Sequence, residues 1–353
     1  MPRETVTPAF SLFVLVCSLA AGLLMVSLVF LIKGANPLFA IAKIFGGSFG
    51  SAYGIKETIT KAIPLILIGT GLTVAFKGKF WNIGAESQLL FGAMAGTWIG
   101  LRLGPSLPAA AVLPLMFLAG FLAGAVWGII PALLKVRFSI NEVISTLLLN
   151  YIGAELMRFL ITGPWKGKTQ FGFPYTDDLP ASAVLSVLPG SRIHIVTLVL
   201  ALAAALIIFF LLFSTKFGYE VRVIGENPEA ARYAGIGFMR TALLGMVISG
   251  GLAGLAGVGE AAGIHHHLGY PDSVSSGYGF TAIIVAWLAK LNPLGVIVSS
   301  VFFAGILVGG DAIQISLGLP AATVQVFNGI LLFFLIMGDY FIKNRLVFSG
   351  RRA

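Results

Sequence analysis

Charge is scarce in this chain. Only 10% of its 353 residues are Asp, Glu, Lys or Arg, against roughly 25% in a soluble domain. With a mean hydropathy of +0.97, the composition excludes an ordinary soluble domain and reads as a polytopic membrane protein. Acidic residues are the scarcer sign, 14 against 23 Lys and Arg, for a net charge of +9. In a soluble chain that excess would point to nucleic acid. Here no basic patch is interleaved with exposed aromatics, and in a membrane chain Lys and Arg mostly mark loops kept in the cytoplasm. Membrane lipid is an expected partner and nucleic acid is not. Cysteine is almost absent too: Cys17 stands alone, which excludes an intramolecular disulfide. A lipoprotein cleavage site is not expected there, because Val16 is bulky where a small residue is wanted and the apolar run continues well past a signal-peptide core.

Constellations that carry chemistry are equally thin. No nucleophile has an adjacent base, and no GxxxxGK[ST] phosphate loop is present, so the chain is not expected to be an enzyme and any ATP must sit on another subunit. Three consecutive histidines, His265, His266 and His267, cannot all point one way in regular structure and lack a fourth ligand at zinc spacing. Neither a metal nor a cofactor is expected.

What the sequence does have is apolar length. Uncharged or nearly uncharged runs at 10–32, 62–76, 83–101, 109–134, 142–161, 195–213, 241–259, 280–289, 293–308 and 321–342 predict an all-α bundle of about ten membrane spans in one transmembrane domain over 1–353. Those near Ala62 and Phe280 are short and read as half-helices or as borrowing from their flanks. Between the first two runs, Lys43, Lys56, Glu57 and Lys61 predict a non-cytoplasmic loop with a short interfacial or re-entrant helix. Basic residues alternate along the chain: Lys77 and Lys79, Lys135 and Arg137, Lys216 to Arg240, Lys290, then Lys343 to Arg352. This pattern puts both termini in the cytoplasm and the long loop 162–194 outside.

Small residues repeat every four positions at Gly92, Gly96 and Gly100, at Gly120, Gly124 and Gly128, at Gly250 and Gly254, and at Gly305 and Gly309. Each set makes a smooth stripe on one helix face, where backbones approach closely, either as static packing or as surfaces that slide on one another. Polar residues within spans are the candidates for function. Glu142, Thr146 and Asn150 share one helical face and are candidates for lining a pathway; equally, Glu142 is a first-turn residue well placed at a helix N-terminus. Asn82 and Glu86, one turn apart, read as pathway residues or as a polar cap at a tight turn. Glu260, Asp311 and Asn328 are weaker candidates. Between apolar stretches lies a polar insert, GENPEAARYAG, running from Gly225 to Gly235. Asn227 suits an N-cap, Pro228 the first helical position and Gly235 the left-handed stop. So short a helix has no core of its own and depends on packing or on docking to another protein.

Four segments together resemble one family: FWNIGAESQLLFGA from Phe80, NEVISTLLLNYI from Asn141, GENPEAARYAGI from Gly225, and SGGLAGLAG followed by GYGFTAIIVAWLAKLNPLG. They are similar to the permease subunits of bacterial ABC importers of the branched-chain amino acid and ribose type, most of all to the branch for purine nucleosides or simple sugars. Ser87 departs from the Gly usual after the Ala-Glu pair in that family. The resemblance implies an inner-membrane importer with a cytoplasmic ATPase, a second permease subunit, identical or homologous, and an extracytoplasmic substrate-binding lipoprotein. It implies that Gly225, Asn227, Pro228, Glu229, Ala230, Ala231, Arg232, Tyr233 and Gly235 form a coupling helix for the ATPase, within about 225–236. A ribose-like sugar is the alternative substrate, and an ion-gradient-driven secondary transporter the alternative mechanism.

Overall fold

The computed structural model describes residues 7–32, 34, 36–318 and 321–343. Among the described residues the chain is helical, with no strand and one isolated bridge between Val187 and His194. In chain order the helices are α1 (Pro8–Ile32), α2 (Pro37–Phe49), α3 (Ala52–Lys77), α4 (Ala85–Arg102), α5 (Ala109–Phe138), α6 (Glu142–Thr162) and α7 (Ile195–Ser214). There follow α8 (Lys216–Glu226), α9 (Pro228–Tyr233), α10 (Phe238–Glu260), α11 (Pro271–Ser275), α12 (Tyr278–Leu288), α13 (Pro293–Leu317) and α14 (Ala321–Lys343). Every expected span falls on a helix. By length and apolarity six of them qualify as membrane-crossing, namely α3, α5, α6, α7, α13 and α10 with its continuation to His265; the bent pair α1–α2 makes a seventh.

The stretch before α3 corrects the expected loop. Helix α3 begins at Ala52 and carries Lys56, Glu57 and Lys61 within its first turns, so the short apolar run near Ala62 is the end of a 26-residue helix. At about 1.5 Å per residue, α3 is roughly 39 Å long, enough to cross the hydrocarbon. Helix α2 is the short helix expected there, capped by Asn36, whose side chain accepts from the Leu38 and Phe39 amides. Helix α8 adds to the expected elements: its charged face reads as a loop in sequence, while Val221 and Ile224 on the other face are buried. By contrast α12, at 11 residues, spans only about 16 Å and is a half-helix, as expected.

The chain forms two compact units, Met1–Thr58 with Gly305–Ala353, and Ile59–Ala304. In the first, α1 packs on α14, where Phe30 and Phe327 stack at 6.3 Å. There too α2 packs on the end of α13: a Cβ at Gly309 would lie 2.8 Å from the Ile44 carbonyl oxygen, and one at Gly305 2.3 Å from the Phe49 ring.

The second unit is built on α4, α5 and α10. Helix α10 contains the run GGLAGLAGVG, a poor helix former, since interior Gly costs about 1 kcal/mol relative to Ala. Packing overrides propensity here. A Cβ at Gly254 would lie 2.1 Å from the Gly120 carbonyl oxygen, one at Gly92 would lie 2.2 Å from that of Gly254, and those at Gly124 and Gly250 would strike each other's carbonyl oxygens at 2.2 and 2.3 Å. Backbone lies against backbone, so nothing but glycine fits. All four expected stripes lie in close packing contacts in this structure.

Gly254→Ala is therefore expected to lower stability by more than about 2 kcal/mol, since backbone cannot yield to the added methyl. Gly46→Ala, in α2, with nothing within 4 Å of a new Cβ, is expected to be neutral or slightly stabilising. Thermal unfolding of the detergent-solubilised protein checks both; equal tolerance at the two sites would contradict this packing.

Candidate functional site

After α3 the chain turns at Lys79, in the left-handed region at φ 54°, and runs through residues 80–84 into α4. Asn82, fully buried, organises this turn. Its Nδ2 donates to Gln88 Oε1 and Ser249 Oγ, both at 2.9 Å, while its Oδ1 accepts from Gln88 Nε2 at 3.1 Å and the Gly84 amide at 3.0 Å. From α6, Thr146 Oγ1 accepts from the Ile83 amide at 3.3 Å. Asn150 accepts from the Ser87 amide at 3.0 Å and donates to the Ile83 carbonyl at 2.9 Å. Three of the expected pathway residues thus converge on one internal network, their hydrogen-bonding groups committed to the turn and to the side chains of Gln88 and Ser249 beside it. Glu142 lies apart in the first turn of α6, paired with Lys135, with Asn141 as the N-cap. Ser87 keeps its place by facing a glycine: a Cβ at Gly153 would lie 2.7 Å from Ser87 Cβ, and Ser87 Oγ accepts from Trp127 Nε1 at 2.9 Å.

Glu86 has a different setting. Half-buried, it accepts from the Gly279 amide at 2.8 Å, which places a carboxylate at the positive end of α12. A Cβ at Gly279 would lie 2.3 Å from the Glu86 amide nitrogen, so this contact requires a glycine. Just before it, Ser276 and Gly277 take positive φ, 49° and 78°, and break the helix between α11 and α12. Around this break lies a set of side chains that periodicity does not single out. Arg158 in α6 bonds Glu155 at 2.6 Å and Asp272 of α11 at 3.3 Å. All three are exposed, and Tyr151, 67% exposed, lies one turn before Glu155 on α6. Exposed ion pairs within a membrane span require water or protein, not lipid. The available signal was Glu155 and Arg158 inside an apolar run; Asp272 lies 114 residues further on.

The insert folds as its caps predict. Asn227 Oδ1 accepts from the Glu229 and Ala230 amides at 3.0 and 3.1 Å, Pro228 opens α9, and Gly235 closes it at φ +71°. Ala231 is buried, whereas Glu229, Ala230 and Arg232 are exposed and Tyr233 is 93% exposed. One face therefore anchors α9 and the other is presented outward. Gly225 sits beneath it, at the end of α8, where a Cβ would lie 1.8 Å from the Lys77 carbonyl oxygen.

The long loop after α6 packs down rather than standing free. Leu179, Ala183 and Leu185 join Val112, Met116, Val258 and Ala262 in one apolar cluster. The amides of Leu179 and Leu185 donate to the carbonyls of His266 and Ala262 at 2.8 and 3.0 Å. The histidine run lies here: a π-helical turn over Ala261–His265 ends at His266, with φ 60°, and His267 pairs with Asp178 at 3.5 Å. The described residues hold no cluster able to bind a metal. Of the weaker candidates, Glu260 is buried and Asp311 exposed, while the side chain of Asn328 lies outside the described residues.

Residues 54–336 match the family described as branched-chain amino acid transport system, permease component. The chain is 35% identical to the glucose ABC transporter permease protein of Haloferax volcanii, over 98% of this chain and 92% of that one. It is 31% identical to the guanosine ABC transporter permease protein of Bacillus subtilis, over 94% and 93%. With the nucleoside ABC transporter permease protein of Lactococcus lactis the identity is 32%, over 89% and 87%.

His194, just ahead of α7, is fully buried. Burial, and secondarily Arg192, hold its pKa down to about 4 from 6.5. Between those values the unfolded chain binds more protons than the folded one. Stability is therefore fully present above about pH 6.5 and falls as pH drops toward 4, by about 1.4 kcal/mol per pH unit. Melting curves at pH 7, 6 and 5 are expected to be flatter for His194→Phe than for the wild type; the same slope in both would count against this assignment.

Proposed function

Because the chain belongs to the family of branched-chain amino acid transport system permease components, we propose that it forms the membrane pathway for a nucleoside, purine nucleosides first. It is an ABC transporter permease, a transport subunit rather than an enzyme, and a multi-pass protein of the inner membrane. The observation that carries the substrate reading is the match, over 94% and 89% of the chain, to permeases named for guanosine and nucleosides. A simple sugar is the second reading, favoured by the 35% identity to the glucose permease.

In this reading the chain is one transmembrane domain of ten crossings, with α11 and α12 together making one broken crossing and both termini in the cytoplasm. Its partners are a cytoplasmic ATPase that binds and hydrolyses ATP, a second permease subunit, identical or homologous, and an extracytoplasmic substrate-binding lipoprotein. The ATPase receives the exposed face of α9, and its closure pushes on α8 and α9. The pathway runs along the outward face of α6 and the α11–α12 break, where Tyr151, Glu155, Arg158, Asp272 and Glu86 offer a flat ring and polar groups to a sugar or nucleobase. The network of Asn82, Thr146 and Asn150 holds that wall from behind.

The combined variant Glu229→Ala, Arg232→Ala and Tyr233→Ala is expected to insert normally, leave ATPase activity measurable and abolish coupled uptake; unchanged uptake would remove the docking role of α9. Disrupting the chain in cells is expected to abolish uptake of radiolabelled guanosine or adenosine. Retained nucleoside uptake with loss of glucose or pentose uptake would reverse the order of the two substrate readings.

A further inference from the structure

Where α3 and α12 end, three aromatic rings cluster, two pairs of them stacked and one tilted. Phe76 lies 5.6 Å from Trp81 and 5.7 Å from Trp287, and the two indoles are 5.5 Å apart and nearly parallel. They wall an open groove of about 490 Å³, whose other lining residues include Lys77, Lys79, Arg222 and a single carboxylate, Glu226. Two of the cations are held together. Lys77 Nζ and the Arg222 guanidinium lie over the same Phe213 ring, 5.3 and 5.6 Å from its centre. Among the described residues none of the three cations has a carboxylate within salt-bridge distance. Three cations against one acid, two of them pinned side by side, make a site that favours an anion.

The wall decides which anion. It is apolar and aromatic, and it stands where two helices end, with Trp81 42% exposed. Amphipathic indoles beside lysines at span ends are the chemistry of the boundary between hydrocarbon and water. Inorganic phosphate has no use for such a wall, whereas a lipid fills both halves of the groove. We propose that this groove binds the headgroup of an anionic phospholipid, its phosphate against Lys77, Lys79 and Arg222 and its glycerol and upper acyl chain against Trp81 and Trp287. The bound lipid also braces the base of α9, because Gly225, which lines the groove, abuts the end of α3 two residues before the cap Asn227. That bracing rests on the proposed role of α9 in coupling; the binding does not.

The test uses the full chain reconstituted in bilayers, with quenching of tryptophan fluorescence by brominated phosphatidylglycerol compared with brominated phosphatidylcholine. The wild type is expected to prefer the anionic lipid. Each cation neutralised among Lys77→Gln, Lys79→Gln and Arg222→Gln is expected to reduce that preference about fivefold, and Trp81→Phe with Trp287→Phe to remove the lipid-selective part of the signal. Lys216→Gln, on the same helix but outside the groove, is expected to leave it intact, as is the charge-conserving Lys79→Arg. If the triple variant does not fold, Lys79→Gln alone, at an exposed side chain, still reads the effect. Equal quenching by the two lipids in the wild type, or an unaltered preference in Lys79→Gln, would overturn the proposal. So would displacement of the anionic lipid by millimolar AMP or inorganic phosphate, which would assign the groove to a soluble phosphate. Lipid-selective quenching without any lipid dependence of uptake would instead remove only the bracing of α9.

Discussion

Direct backbone contact among α4, α5 and α10 is the constraint on which the second unit depends. In a membrane, apolar side chains gain little by leaving lipid for protein, so helices associate through close packing and polar bonds. Glycines at 92, 120, 124, 250 and 254 let backbone meet backbone among these three helices. The close approach fixes the start of α4, and with it everything attached there. Ser249 of α10 reaches Asn82, Gln88 reaches back to it, and the turn so formed presents Glu86 to the first turn of α12.

The same constraint explains why the polar face of α6 is turned inward. Glu142, Thr146 and Asn150 align on one side, Ile144, Leu148 and Ile152 on the other. By the logic of a soluble helix the polar side would meet water. In this bundle Thr146 and Asn150 bond the turn before α4, and the apolar residues of α6 are exposed. Water, or a partner protein, is called for only where that exposed face becomes charged, at Glu155 and Arg158. Periodicity told which residues share a face. It did not tell whether that face meets protein, lipid or water, because hydropathy alone does not distinguish a buried polar network from a wetted one.

Other features were legible for definite reasons. The glycine stripes have the four-residue period of one helix face, and each lies in a helix contact. The caps of α9 follow from local side-chain chemistry at Asn227, Pro228 and Gly235, so no tertiary information was needed. The positions of the ten apolar runs were likewise legible, and each coincides with a helix. Helix α3 was read too short because Lys56, Glu57 and Lys61 break the apolar run while remaining compatible with a helix, their long side chains suited to span ends. Helix α8 is not legible in the sequence, because its apolar face is only a few residues wide. The Arg158–Asp272 pair joins residues far apart in sequence, and nothing local announces it.

The position of the pathway depends on which side of α6 is wet. Replacing Cys17, the only native cysteine, and placing single cysteines at Tyr151, Asp272, Thr146 and Asn150 allows a membrane-impermeant thiol reagent to report this directly. Rapid labelling at 151 and 272, slowed by transported substrate, with no labelling at 146 and 150, is the predicted result. Labelling at 146 and 150 with inert 151 and 272 would contradict it.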